Sequence, residues 1–454
     1  MATSGLSVVP GAASARPWWG CILAAVAGPA LWLYRIVVHL ALPVAGPVLW
    51  LRDRATGKSR PSLAARLGRG APRVPPGGLW VQAVSVGEVE IARRVLAEVE
   101  RLEPEVPVVV TATTATGLGL ARRTVGRRHP VHPCPLDLPG PVARFLEAVR
   151  PAAVVLVETE LWPELLHQAG LRRIPVAVVN GRLSDRSFRR YRAVRPLLGP
   201  LLEPVRLVLA RSEEDAARFA RLGIPGGRIR VTGNVKYDLE PDPEPLPWAE
   251  RLAGWTRGRP VLVAGSTMEG EEEVVLAALE RLGEELRPFP VLAPRHPERF
   301  DAVARLLAER GLAPARRSGL HGAPERPGAF LLDTIGELAR AYRHAAVAFV
   351  GGSLVPTGGH NPLEAATWGV PVLTGPHVHN FREVYAELEA AGAVRVISGP
   401  EELTVALAAW LDEPAAARAA GAAGRRVVEA NRGAAARAAG AVLELAAAGA
   451  DGAR

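Results

Sequence analysis

From position 79 onward, short apolar runs alternate with amphipathic stretches of helical period. In the first half the runs at 79–84, 106–111, 153–157, 175–179, 205–210 and 229–232 predict strands, each followed by a helix or turn. Strands that are apolar throughout, rather than at alternate positions, predict a parallel sheet covered on both faces. The segment Tyr237-Asp-Leu-Glu-Pro-Asp-Pro-Glu-Pro-Leu-Pro247 breaks this pattern, because its four prolines fit neither a central strand nor a helix interior. Alternation resumes with strands expected at 260–264, 290–293, 329–332, 347–350 and 371–374, and Ala-rich helical sequence closes the chain. The expectation is an α/β protein of two Rossmann-like domains with a cleft between them. The expected bounds are 60–238 and 248–430, with a Pro-rich linker at 239–247 and a C-terminal helix or tail at 431–454. In such sheets ligands sit beyond the carboxyl ends of the strands.

The N-terminal region has a different pattern. Residues 18–51 read WWGCILAAVAGPALWLYRIVVHLALPVAGPVLWL, interrupted only by Arg35 and His39. The apolar block before Arg35 is short of the roughly 20 residues a spanning helix needs. Trp18, Trp19, Trp32, Tyr34 and Trp50 suit a membrane interface, and Arg52, Arg54, Lys58, Arg60, Arg66 and Arg69 follow as a basic flank. We therefore expect a membrane-anchor segment over 17–51, either spanning or lying in the interface, with the following domain on the cytoplasmic side. A core hairpin is the weaker reading, because so many tryptophans cluster there.

Composition adds limits. The chain has 454 residues, of which 48% are hydrophobic, enough for large buried cores. Cys21 and Cys134 make no disulfide framework and no CxxC metal or redox pattern. A net charge of +9 favours anionic partners such as lipid head groups, nucleotides and phosphorylated substrates. Nucleic acid is not expected as a partner, since aromatic content is low and no nucleic-acid-binding signature is present.

Several segments at predicted strand ends carry chemistry. Gly351-Gly352-Ser353 follows the strand at 347–350, and two glycines let a phosphate approach main-chain N–H groups. Gly358-Gly359-His360 makes a second such turn. Asn361-Pro362 then opens a helix, with Asn361 as N-cap and Pro362 at its first position. A helix N-terminus stabilises an anion. Glu364, three residues on, is either a capping-box glutamate or a carboxylate accepting hydrogen bonds from a ribose diol. Arg295, in Pro294-Arg-His-Pro-Glu-Arg299, offers a planar fork for a phosphate, with His296 beside it. Ser266 ends another strand, and Lys236 lies next to the linker. In the first half, Glu88 of Ser85-Val-Gly87-Glu88 is a candidate general base, although Ser85 and Glu88 also have capping-box spacing. Glu158 and Glu160 lie beyond the strand at 153–157, before a helix begun by Pro163. Arg182 and Ser184 start a basic loop that continues through Arg186, Arg189 and Arg190. No metal-ligand cluster stands out.

As a set, SVGE, ETELWP, the basic RLS loop, TGNVKYD, PRHPER, VGGS and GGHNPLEA resemble the 3-deoxy-D-manno-octulosonic acid (Kdo) transferases, in the order seen in that family. The resemblance runs from about Trp32 to the C-terminal helices. It departs at TATTATG, where Ala115 stands in place of a larger residue or proline. The resemblance implies a GT-B glycosyltransferase fold and inverting, metal-independent transfer of Kdo from CMP-Kdo to the lipid A precursor. That reaction would take place at the cytoplasmic face of the inner membrane, with no cofactor. It implies Glu88 as the base, and Arg295, Gly351 to Ser353 and Glu364 at the nucleotide. Around these we place His296, Gly358, Gly359, Asn361, Ser266 and Lys236 on the donor side. Ser85, Gly87, Glu160, Arg182 and Ser184 go to the acceptor side. The alternatives are a GT-B enzyme using a UDP-sugar, as transferase or epimerase, and a catalytically inactive membrane-anchored binding protein.

Overall fold

The computed structural model describes residues 31–41 and 62–451. They form two compact units, Lys236–Arg432 being one and the rest of the described chain the other.

The first unit contains helices α1 (residues 31–41), α2 (Leu63–Arg66), α3 (Val86–Leu102), α4 (Ala115–Thr124), α5 (Pro139–Val149), α6 (Pro163–Leu171), α7 (Asp185–Ala193), α8 (Arg195–Leu198) and α9 (Glu213–Leu222). Its strands are β1 (Leu79–Ala83), β2 (Val108–Ala112), β3 (Val131–Pro133), β4 (Ala153–Val157), β5 (Val176–Gly181), β6 (Val205–Ala210) and β7 (Ile229–Val231). They pair in the order β3-β2-β1-β4-β5-β6-β7, all parallel. Both faces are buried, as the apolar runs require. Leu79, Val81 and Ala83 join one core cluster with α3 and α4, whereas Trp80 joins another with α5 and α6.

The second unit contains α10 (Ala249–Thr256), α11 (Glu271–Arg281), α12 (Phe300–Glu309), α13 (Leu338–Ala341), α14 (Leu363–Thr367), α15 (Arg382–Ala390), α16 (Pro400–Asp412) and α17 (Pro414–Asn431). Its strands are β8 (Val261–Thr267), β9 (Phe289–Pro294), β10 (Pro314–Arg316), β11 (Ala329–Leu331), β12 (Val347–Val350), β13 (Val372–Thr374) and β14 (Val394–Val396). The order is β10-β11-β9-β8-β12-β13-β14, again parallel. In each sheet the order reverses beside the first strand, at β1/β4 and at β8/β12. Such a switch point leaves a crevice beyond the carboxyl ends.

The structure departs from the sequence expectations in three places. Strands β3, β10 and β14 were not anticipated. Each is a three-residue edge strand, two of them contain proline, and an edge tolerates what a central strand does not. The division falls at Val235/Lys236, before the proline-rich segment. Leu246 and Trp248 are buried in the second unit's core and fasten the end of that segment to it, whereas residues 240, 242–245 and 247 are exposed. The expected tail is α18 (Ala434–Asp451), which belongs to the first unit. Its Ala434, Ala435, Ala438, Ala439 and Val442 join that core, and their small side chains let it lie close. A Cβ on Gly449 would come within 2.6 Å of the Ala152 carbonyl. Most of the expected anchor at 17–51 lies outside the described residues. Among the described residues no helix is long and apolar enough to cross a membrane.

Candidate active site

In the first unit, β1 and β4 end side by side at the switch point. Chain leaving β1 enters α3 through Val84 and Ser85, and Glu88 stands in the first turn of the helix. The capping-box expectation is only half met. Ser85 occupies the N-cap position, yet its side chain makes no cap hydrogen bond. Instead its Oγ donates to Glu88 Oε1 at 2.9 Å, while Val84 N–H donates to Oε2 at 2.6 Å. The carboxylate is thus held from two directions, and the residue is only 8% exposed. Burial, reinforced by the charges of Glu160 and Glu158, pushes its pKa up to about 7, with the two hydrogen bonds opposing. A carboxyl so poised suits proton abstraction near neutral pH.

The chain beyond β4 supplies those charges. Glu158 holds a left-handed backbone at φ 62°, a strained state for a residue with a side chain. Glu160 accepts a 2.5 Å hydrogen bond from Trp162 Nε1, and burial raises its own pKa, helped by Glu158. The Thr159 hydroxyl donates to the Arg182 carbonyl, which ties this turn to the basic loop. Ser184 acts as the N-cap of α7, accepting from Ser187 N–H at 3.2 Å. Arg182 is half-buried, while Arg186, Arg189 and Arg190 are exposed. At Gly87 a Cβ would meet only Ser85 Oγ, at 4.0 Å, so the fold does not demand glycine there. Gly117 was missed from sequence. A Cβ there would meet Thr114 Oγ1 at 2.9 Å and the Ser85 carbonyl carbon at 3.2 Å, so its absence lets α4 abut the Ser85 turn.

The second unit corrects the expected use of Gly351-Gly352-Ser353. Its amides are occupied by the protein itself. Glu271, fully buried at the start of α11, accepts from Gly352 N–H at 2.7 Å, Ser353 N–H at 2.9 Å, Leu354 N–H at 2.8 Å and Met268 N–H at 2.9 Å. Gly351 N–H donates to the Gly265 carbonyl. Ser353 Oγ donates to the Val350 carbonyl and accepts from Gly375 N–H. The turn is therefore a ready-made anion nest filled by a carboxylate. The glycines are needed for that packing. A Cβ on Gly351 would lie 2.6 Å from Glu271 Oε2, and one on Gly352, at φ 68°, would lie 2.6 Å from the His360 ring. Sequence reasoning passed over Glu271 because an acid at a helix start is ordinarily explained by the helix dipole. Glu272 beside it, also fully buried, accepts from both Arg299 terminal nitrogens at 2.8 Å and from Thr267 Oγ1.

What the second unit offers a ligand lies around this pinned turn. Gly358 and Gly359 adopt φ of 100° and 73°, held by Gly359 N–H on the Gly352 carbonyl and by Asn380 on both sides. Arg295 is exposed at the end of β9, its own amide fixed on the Thr267 carbonyl, with His296 half-exposed next to it. His360 Nε2 is buried and has no hydrogen-bond partner among the described residues. Burial, with the nearby charges of Arg295 and His296, lowers its pKa to about 4, so the ring is neutral at physiological pH. Asn361 stands one residue farther from its helix than expected. Pro362 is the N-cap of α14, and Asn361 Oδ1 accepts from Leu363 N–H at 3.2 Å. Glu364 Oε1 lies 3.5 Å from Asn361 Nδ2, and its charge adds to burial in raising the Tyr342 pKa. Ser266 takes a left-handed backbone at φ 55° at the end of β8. Lys236 lies 4.7 Å over the Phe381 ring. Among the described residues, no group of three His, Cys, Asp or Glu side chains is arranged to hold a metal ion.

Comparison with known proteins fits this arrangement. Residues 61–239 match the family profile of 3-deoxy-D-manno-octulosonic-acid transferase (kdotransferase). The chain is 38% identical over 409 residues to the 3-deoxy-D-manno-octulosonic acid transferase of Haemophilus influenzae, covering 88% of this chain and 95% of that protein. Among solved structures, UDP-GlcNAc 2-epimerase from Neisseria meningitidis superposes with a TM-score of 0.52 at 13% identity, covering 81% of this chain and 99% of that one. MurG from Acinetobacter baumannii does so with a TM-score of 0.51 at 15% identity, covering 82% and 100%. At that identity the likeness carries the fold alone, which is GT-B. With two parallel-sheet units, a poised glutamate at the first switch point and this similarity along most of its length, the chain belongs to the Kdo transferase family of glycosyltransferases.

Proposed function

We propose that the chain transfers Kdo from CMP-Kdo to the lipid A precursor at the cytoplasmic face of the inner membrane, with inversion and without a metal ion. The observation that carries this reading is Glu88, a carboxylate held by two hydrogen bonds and poised with a pKa of about 7. In the proposed step the acceptor hydroxyl attacks the anomeric carbon of Kdo as Glu88 takes its proton. The bond from that carbon to the CMP phosphate breaks, and CMP departs with the electron pair. Attack from the face opposite the leaving group inverts the configuration.

Arg295, the Gly358-Gly359 turn and the start of α14 would stabilise the charge growing on CMP, in the role an oxyanion hole plays elsewhere. Because Glu271 takes the amides of Gly352 and Ser353, those residues would act by shaping the site rather than by donating to the phosphate. Glu364 would accept from the ribose hydroxyls, and neutral His360 would offer its unpartnered Nε2. Glu160, Arg182 and Ser184 would face the acceptor, whose phosphates suit the basic loop after Arg182. The apolar sequence at 17–51 and its basic flank would hold the enzyme on an anionic leaflet.

Binding and turnover together test the reading. CMP should protect the enzyme against thermal unfolding where UDP does not, and transfer should survive exhaustive chelation. Protection by UDP alone would point to a UDP-sugar enzyme, and loss of turnover with chelator would end the metal-free mechanism.

A further inference from the structure

Helix α1 turns two polar side chains inward and leaves a broad apolar face outward. Its inward positions are Leu31, Tyr34, Arg35 and Val38, spaced as one helical face. The outward face carries Trp32 (64% exposed), Leu33, Ile36, Val37 and Leu40 (71% exposed). Tyr34 and Arg35 turn into the protein beside Leu31 and Val38, while five large apolar side chains and His39 lie exposed.

The inward polar groups are used. Arg35 grips Glu164 with two nitrogens, Nε to Oε2 at 2.7 Å and Nη2 to Oε1 at 3.0 Å, and Glu164 is fully buried. The Tyr34 hydroxyl donates to Asp137 Oδ2 at 2.6 Å. Asp137 in turn accepts from the amides of Glu164 and Leu165, at 3.1 and 2.8 Å, and so holds the first turn of α6. That turn follows directly on the 158–162 segment, whose Glu158 and Glu160 act on Glu88.

We propose that this clamp is a positioning device: Arg35 and Tyr34 lock a lipid-seated helix to the start of α6, and so set the place of the catalytic loop relative to an acceptor embedded in the membrane. The occupant of the outward face is a lipid surface. The sequence continues apolar on both sides of α1, at 18–30 and 42–51, and six basic residues follow between Arg52 and Arg69 to meet anionic head groups. Arg35 acts through α6, by way of Glu164. The inference rests on the proposed reaction at a membrane acceptor.

The test uses the full chain with vesicles of phosphatidylethanolamine and phosphatidylglycerol carrying the acylated, phosphorylated disaccharide acceptor. The same disaccharide, deacylated, serves as a soluble acceptor. Arg35→Met should lower kcat/KM for the vesicle acceptor at least about tenfold, against the roughly hundredfold that a 1 Å misplacement can cost. It should leave the soluble acceptor within about twofold of wild type and the enzyme still bound to vesicles. Arg35→Lys should recover part of the loss. Should Arg35→Met fail to fold, Tyr34→Phe, which removes one hydroxyl, should show the same selective loss in weaker form. Equal losses with both acceptors, no loss with either, or release from the vesicles would each overturn the clamp. A wild-type enzyme that glycosylates neither acceptor would instead overturn the underlying reaction.

Discussion

Replacing Glu88 by glutamine should remove activity and at the same time stabilise the protein, in a way that depends on pH. Glu88 is 8% exposed, and its pKa stands at about 7 against an ordinary 4.5. A pKa difference of one between folded and unfolded chains is worth about 1.4 kcal/mol, so ionised Glu88 costs the folded state about 3 kcal/mol. The sign follows from proton binding. Between pH 4.5 and 7 the folded protein holds a proton that the unfolded chain has released, so stability falls as pH rises through this window and levels off above it. Glu88→Gln removes that slope. Urea unfolding of both proteins at pH 4, 5.5, 7 and 8 should therefore show the variant gaining on the wild type by about 3 kcal/mol from the lowest pH to the highest. Wild-type kcat/KM should rise about tenfold per pH unit below 7 and then plateau. A stability difference that stays constant from pH 4 to 8, or a rate profile without an inflection near 7, would refute the assignment of Glu88 as a buried, poised base.

The second unit yields further expectations. Glu271→Gln puts an amide group among four N–H donors, and should destabilise that unit by about 3 kcal/mol and weaken CMP binding, as read by calorimetry. Gly352→Ala places a Cβ at a left-handed position against His360, and should cost about 2 kcal/mol in denaturant unfolding. His360, with a pKa lowered to about 4, should show no titration between pH 5.5 and 8 in its ring NMR signals; an inflection near 6.5 would contradict its buried, unprotonated state.

The central strands and the switch-point motifs were legible in the sequence because apolar runs bounded by Gly, Ser and Pro leave few other structures for them. Edge strands such as β14 are too short to show a period. Helix α18 could not be assigned to a unit, since its alanines would suit either core. Glu88 is legible as a candidate base from its place at a strand end, although the same spacing also describes a helix cap; its burial and the charge of Glu160 beside it are what the sequence hides. The two glycines make the cradle of main-chain N–H groups at Gly352 legible, but the carboxylate that fills it is Glu271, which is 81 residues away in sequence. The inward turn of Tyr34 and Arg35 was equally hidden, because an arginine inside an apolar run looks like an interruption until Glu164 is placed against it.

The most direct measurement is mass spectrometry of the lipid product formed from CMP-Kdo and the lipid A precursor in excess chelator, by the wild type and by Glu88→Gln. The account predicts a mass increase of one or more Kdo units with the wild type and none with a folded, CMP-binding variant. Unmodified lipid from the wild type, or equal product from both proteins, would contradict it.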